Sequence, residues 1–265
     1  MDLQISHTTR YVYDQPVGYA LQRLHLRPQS NVMQSVLDWT VTVDGGVIEL
    51  TCDDHHGNVM DLVNTTRGST ELVVTAAGRI QTHDRAGVLG KVYGAAPLWY
   101  FQQDTPLTRA SREIRALAKP LKGTADLLAA LHDLSAQILT AVPYATGETY
   151  SNTTAEDALS GGVGVCQDHA HIMIAAARAA GCPARYVSGY LMLDDRIDQD
   201  ASHAWAEVHL PTLGWVGFDV SNGISPDERY ARLAVGRDAG DAAPVKGLRI
   251  GPGDESLIVT LQVQQ

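Results

Sequence analysis

Period two governs the first third of the chain. Leu3, Ile5, Tyr11 and Tyr13 alternate with polar neighbours, as do Leu37, Trp39, Val41 and Val43. That spacing sends one face of a strand into a core and the other into solvent. Gly45-Gly46 turns the chain into residues 47–52, Asp53-Asp54-His55-His56-Gly57-Asn58 turns it again, and residues 59–63 and 71–80 continue the pattern. At least five strands without a helix predict an antiparallel, sandwich-like β domain over residues 1–95.

Beyond it the period becomes helical. Residues 83–105, with Gly87, Gly90, Gly94 and Pro97, read as a connection. Residues 108–119 predict a helix stopped at Pro120. Residues 124–142 carry Leu127, Leu131, Leu134 and Ile138 on one stripe that ends at Pro143. Thr154 and Asp157 have capping-box spacing before a short helix that Gly161-Gly162 stops. Residues 166–180 lack Gly and Pro, and Gly181 with Pro183 closes them as a helix. Residues 184–193 then predict a strand, 202–210 and 214–219 a hairpin around Pro211-Thr212-Leu213, 226–235 a short helix, 236–253 a loop and 257–263 a late strand. The class is α+β, with residues 96–265 forming a second domain of helices packed on an antiparallel sheet.

Chemistry gathers at the junction of loop and helix. Cys166 follows Gly161-Gly162-Val163-Gly164-Val165 and opens the helix, where unpaired amides and the dipole favour an anionic sulfur. A cysteine alone in that place is more often a small buried apolar residue packed under a glycine loop. The hairpin changes the picture, because with a three-residue loop Asp219 falls opposite Trp205 and diagonal to His203, on one face. A slip of one residue would separate them. Thiol, imidazole and carboxylate are the groups that nucleophilic catalysis by cysteine requires.

Four segments in this order resemble the core of the transglutaminase-like superfamily, in particular its bacterial cysteine-protease branch: Gly164-Val165-Cys166-Gln167-Asp168, residues 181–190, Ser202-His203-Ala204-Trp205 and residues 214–219. Asp54-His55-His56-Gly57-Asn58 is similar to the β domain that precedes that core. The resemblance implies a papain-like transglutaminase core with a triad of Cys166, His203 and Asp219. Two positions depart from the family pattern: Val220-Ser221 stands where Pro-Thr is common, and His169 where an aromatic or apolar residue is.

Acyl transfer also needs donors for a developing oxyanion, and the Cys166 amide is expected to be one. Tyr144 and Gln167 are candidates for the second, and Trp205, with Trp215, for lining the cleft. The acidic stretch 194–200 is placed to border the cleft or to be a solvated tip. The expected reaction is hydrolysis of amide or peptide bonds through a thioester; transfer to an amine and a catalytically silent binding module are the alternatives.

Composition sets limits. A net charge of −10 argues against a nucleic-acid or anionic-membrane surface. Cys52, Cys166 and Cys182 form no paired framework, and His169 and His171 face different directions. The Asp53–His56 cluster reads as turn chemistry, so no metal or cofactor is called for. The first residues show no signal peptide and no apolar run reaches the roughly 18 residues of a spanning helix, so the expected location is the cytoplasm and the expected partner a peptide or protein substrate.

Overall fold

The amino-terminal alternation builds β1 (Asp2–Tyr13), β2 (Tyr19–Arg27), β3 (Gln34–Asp44), β4 (Gly46–Asp53), β5 (Val59–Thr65) and β6 (Glu71–Thr82). The computed structural model describes residues 1–92 and 94–265; Tyr93, inside the connecting stretch, lies outside them. After the connection, which contributes β7 (Val88–Gly90), come α1 (Arg112–Leu117), α2 (Leu127–Ala141), α3 (Ala155–Gly161) and α4 (Cys166–Ala179). Next follow β8 (Ala184–Leu191), β9 (Asp198–Gln199), β10 (His203–Leu210), β11 (Gly214–Phe218), β12 (Tyr230–Gly236), α5 (Ala239–Ala242), β13 (Val245–Ile250) and β14 (Glu255–Gln264).

Three antiparallel sheets result, in the orders β3-β6-β1-β14-β9, β13-β2-β5-β4 and β12-β8-β10-β11-β7. The first two enclose a core of Leu3, Ile5, Leu24, Leu26, Val63, Leu72, Ile80 and Val263. The third carries α4 on one face, and α1, α2 and α3 pack around that helix. Ile114, Leu131, Leu134 and Ile138 meet Ile172, Met173, Val208 and Phe218 there. This is the papain-like arrangement of a central helix on an antiparallel sheet.

The structure departs from the sequence reading in three stretches. β2 was not anticipated, because its buried positions include Gln22 and His25 and blur the alternation. Residues 230–236 form β12 where a helix was expected: Ala231, Leu233 and Ala234 favour helix locally, but the edge of β8 supplies backbone partners and a core to enter. Residues 236–253, expected to be a loop, hold α5 and β13.

The carboxyl end returns to the amino-terminal sheets. β14 pairs with β1, Ile5 opposite Val263, and β13 pairs with β2, Leu24 opposite Val245. Both would otherwise be open edges, whose unpaired amides and carbonyls need partners. Strands β13 and β14, grouped by sequence with the second domain, thus pair with the sheets of the first.

Side-chain bonds fasten the two halves. Asn58 Nδ2 donates to the Val235 carbonyl at 2.7 Å and Asn58 Oδ1 accepts from the Val235 amide at 2.8 Å. Gln34 makes the same reciprocal pair with Arg232, at 2.8 and 2.7 Å. Tyr190, Ala231 and Leu233 of the third sheet enter the sandwich core, so apolar burial continues through the joint. The turn 53–58 is therefore a docking element. Among the described residues no helix is long and apolar enough to cross a membrane.

Candidate active site

Cys166 is the first residue of α4, and the local sequence explains why the helix begins there. Asp168 reaches back so that its Oδ2 accepts from the Val165 amide at 2.9 Å and from Thr149 Oγ1 at 2.7 Å. This caps the helix and pins the 149–150 loop above it. A Cβ on Gly164 would stand 2.9 Å from the Cβ of Asp168, so only glycine lets the loop approach the capping carboxylate. The amides of the first turn have no intrahelical acceptors and, with the dipole, present positive potential at the sulfur. The place of Asp168 three residues after Val165 is the signal for this cap in the sequence.

The β10–β11 hairpin has the register expected from its loop, with Leu210 opposite Gly214 and Ala206 opposite Phe218. His203 opens β10, and Asp219 follows the last residue of β11. His203 Nε2 lies 2.6 Å from Asp219 Oδ2. A carboxylate can only accept, so Nε2 carries the proton and Nδ1 is the ring atom left to meet the Cys166 sulfur. Burial disfavours charge on His203, but the hydrogen bond to Asp219 and the influence of Asp219 and Cys166 outweigh it and push its pKa up to about 10.

Asp219 is fully buried and saturated with donors. Besides His203, its Oδ2 accepts from Asn222 Nδ2 and from Tyr230 Oη, each at 2.7 Å. Burial alone would raise its pKa, yet the bonds from His203, Asn222 and Tyr230 hold it below the usual carboxylate range. Asn222, three residues on, was legible as a local return. Tyr230 was not, since it arrives on β12 and no local spacing links it to Asp219.

The two departures from the family pattern meet each other. His169 Nε2 donates to the Val142 carbonyl at 2.7 Å, which fixes Nδ1 as the acceptor of the Ser221 hydroxyl at 2.8 Å. Burial, opposed by the bond to Val142, keeps His169 below the usual imidazole pKa and hence neutral. The pair straps the loop after Asp219 to α4 and the end of α2.

The remaining candidates separate. Tyr144 is 53% exposed. Partial burial and the charges of Cys166 and Asp219 raise the pKa of its hydroxyl, and its backbone bridges to Gly164, two residues before Cys166. Gln167 lines the cleft next to Cys166, its amide nitrogen 3.4 Å from the Ser151 carbonyl. Trp205 does not line the cleft. It is 3% exposed and packs with Val187, Leu191, Tyr230 and Val235 below the His203 ring, because the strand face it shares with His203 turns into a core. Trp215 is likewise buried, under the Arg185 guanidinium 3.9 Å from its ring. In the acidic stretch, Asp198 and Gln199 form the edge strand beside β14, while Asp194 and Asp195 line a separate groove with Asn222, Arg229 and Tyr230.

Cys166 and His203 share the mouth of a cleft of about 260 Å³. A sulfur at a helix N-terminus, an imidazole bonded to a buried carboxylate and free first-turn amides form a layout suited to nucleophilic attack on a carbonyl. Fold and layout together define a papain-like thiol architecture preceded by a β-sandwich.

Residues 115–220 match the model of the transglutaminase-like superfamily, and residues 3–81 match that of the bacterial transglutaminase-like N-terminal region. The chain belongs to the transglutaminase-like superfamily. It is 28% identical to an uncharacterized protein of Mycobacterium leprae across 98% of both chains. It is 30% identical to the uncharacterized protein Rv2569c of Mycobacterium tuberculosis across 96% of this chain and 90% of that one. A crystal structure titled a putative cysteine protease from Cytophaga hutchinsonii superimposes on all of this chain and 90% of its own with a TM-score of 0.78 at 23% identity, a likeness of fold.

Proposed function

We propose that the protein is a thiol-dependent hydrolase of amide or peptide bonds, with Cys166 as nucleophile, His203 as general acid and base and Asp219 as the group that orients and charges the imidazole. Cys166 attacks the carbonyl carbon as thiolate, the amide of its own residue faces the oxyanion, and His203 Nδ1 gives its proton to the departing amine. The sulfur then carries the acyl group as a thioester, and water, giving a proton to His203 as it attacks, releases the acid and restores the thiolate and imidazolium. Tyr144, exposed where its backbone bridges to Gly164 ahead of Cys166, is our candidate for a second donor.

The observation that carries this reading is the His203–Asp219 bond at 2.6 Å in an imidazole that lines one cleft with Cys166. The experiment is a peptide-library digest, read for new termini and for ammonia, with and without a primary amine. Hydrolysis gives new carboxyl termini that vanish in Cys166→Ala and persist when amine is added. Amine-linked products in place of acids would instead establish a transferase. A digest unchanged by Cys166→Ala would overturn the assignment of the nucleophile.

A further inference from the structure

The cleft beside Cys166 has two walls of different origin. One is the start of α4 and of β10. The other is the segment 239–244, which presents Ala239, Ala242, Ala243 and Pro244, and Tyr186 and Ser188 form the floor between them. No Asp, Glu, Lys or Arg is among the residues lining this space of about 260 Å³.

The polar groups of the far wall and of Ser188 are already engaged. Ser188 Oγ donates to the Ala242 carbonyl at 2.6 Å. The charges of the far wall are turned into the wall itself: Asp238 Oδ1 accepts from the Asp241 amide at 3.1 Å, and Asp241 pairs with Arg237 at 3.1 Å. A charged side chain seated against the far wall would lose its water and find no ionic partner beyond the catalytic pair at the mouth, whereas a methyl or isopropyl group would meet alanine and proline.

That wall is also fixed in place. Arg23 Nη2 donates to the Gly240 carbonyl at 2.9 Å and the His25 amide to the Pro244 carbonyl at 2.8 Å, both from β2. From α4, His171 Nε2 accepts the Ala239 amide at 3.1 Å. Strand β2 of the sandwich, strand β8 and helix α4 therefore hold one short segment against the nucleophile, so the shape of the pocket is set before a substrate arrives.

We propose that this alanine-walled pocket is the acyl-side subsite and admits small uncharged aliphatic side chains while refusing charged ones. The inference rests on Cys166 being the nucleophile. On it, the sandwich contributes to specificity, because β2 anchors the wall that the substrate touches.

The test uses a panel of N-acetyl aminoacyl acyloxymethyl ketones bearing Ala, Val, Glu or Lys side chains, with mass-spectrometric measurement of the alkylation rate at Cys166 in the full-length protein. The Ala and Val probes are expected to react at least tenfold faster than the Glu and Lys probes. Ala243→Glu is expected to raise the Lys-to-Val ratio at least tenfold, and Ala201→Glu, on the exposed rim, to raise it less. A flat panel, a preference for a charged probe, or ratios unmoved by both substitutions would overturn the proposal. Iodoacetamide, which carries no side chain, separates the two readings. Cys166 no faster with it than Cys52 and Cys182 counts against the nucleophile alone, while the ratios at that one sulfur still decide the subsite.

Discussion

Asp219 holds one histidine, His203, at 2.6 Å, while Asp54 sits between His25 at 3.3 Å and His56 at 3.7 Å. By composition the second cluster is the richer, yet its surroundings lead elsewhere. Asp54 Oδ1 accepts the amides of His56 and Asn58, at 2.8 and 2.9 Å, so it closes its own turn. His56 packs against His55, Tyr100 and Phe101, and Asn58 grips β12. Around Asp219 the donors fix one imidazole whose other nitrogen opens toward a sulfur and a cleft. The lesson is that carboxylate and imidazole together describe either a joint or a reaction centre, and that the free face of the ring decides which.

The comparison breaks first at the nucleophile. Cys166→Ala should abolish amide turnover, and Asp219→Asn should lower it roughly 10²–10⁴-fold with the fold retained, measured as kcat on any peptide found in the library digest. Removing the carboxamide by which the other cluster grips β12 should do the reverse. Asn58→Ala leaves the amide and carbonyl of Val235 unpaired in the joint, and should cost about 3 kcal/mol in urea unfolding while leaving Cys166 alkylation intact.

A smaller effect sharpens the site itself. Ser221→Ala removes the strap from His169 and should slow turnover by roughly fivefold, the equivalent of about 1 kcal/mol, with KM unchanged. His169→Phe should match it, and the double variant should be no worse than either single one. Additive losses would show that the two residues act separately.

A further test lies in the pH dependence of stability. Burial holds His7 and His171 to pKa values of about 4, against 6.5 in an unfolded chain. The unfolded state therefore binds protons that the folded state refuses, and stability falls as pH drops from 6.5 toward 4. His203 runs the other way: its raised pKa gives stability that is fully present below 6.5 and is lost as pH rises toward about 10. His7→Gln should flatten the acid limb of the urea-midpoint profile and leave the alkaline limb alone. An unchanged acid limb would mean that His7 does not supply it.

How much of this could be read from the sequence depended on how local the cause was. The hairpin loop of three residues fixes its own register, so the meeting of His203 and Asp219 was legible from Leu210 and Gly214. Helix α4 was legible from its glycine-rich approach and its closing Gly181. Tyr230 was hidden because β12 looks helical in isolation and becomes a strand only beside β8. Trp205 misled for a related reason: alternation tells which residues share a face, and only the packed sheet shows that this face leads from the cleft at His203 into a core. The return of β13 and β14 to β2 and β1 spans more than two hundred residues, and no nearby signal marks it.

The most direct measurement is site-resolved alkylation by iodoacetamide at pH 6, read by peptide mapping of all three cysteines. With His203 charged beside it, Cys166 should be modified at least tenfold faster than Cys52 and Cys182, and Asp219→Asn should remove most of that advantage. Equal, slow modification of the three would contradict the account.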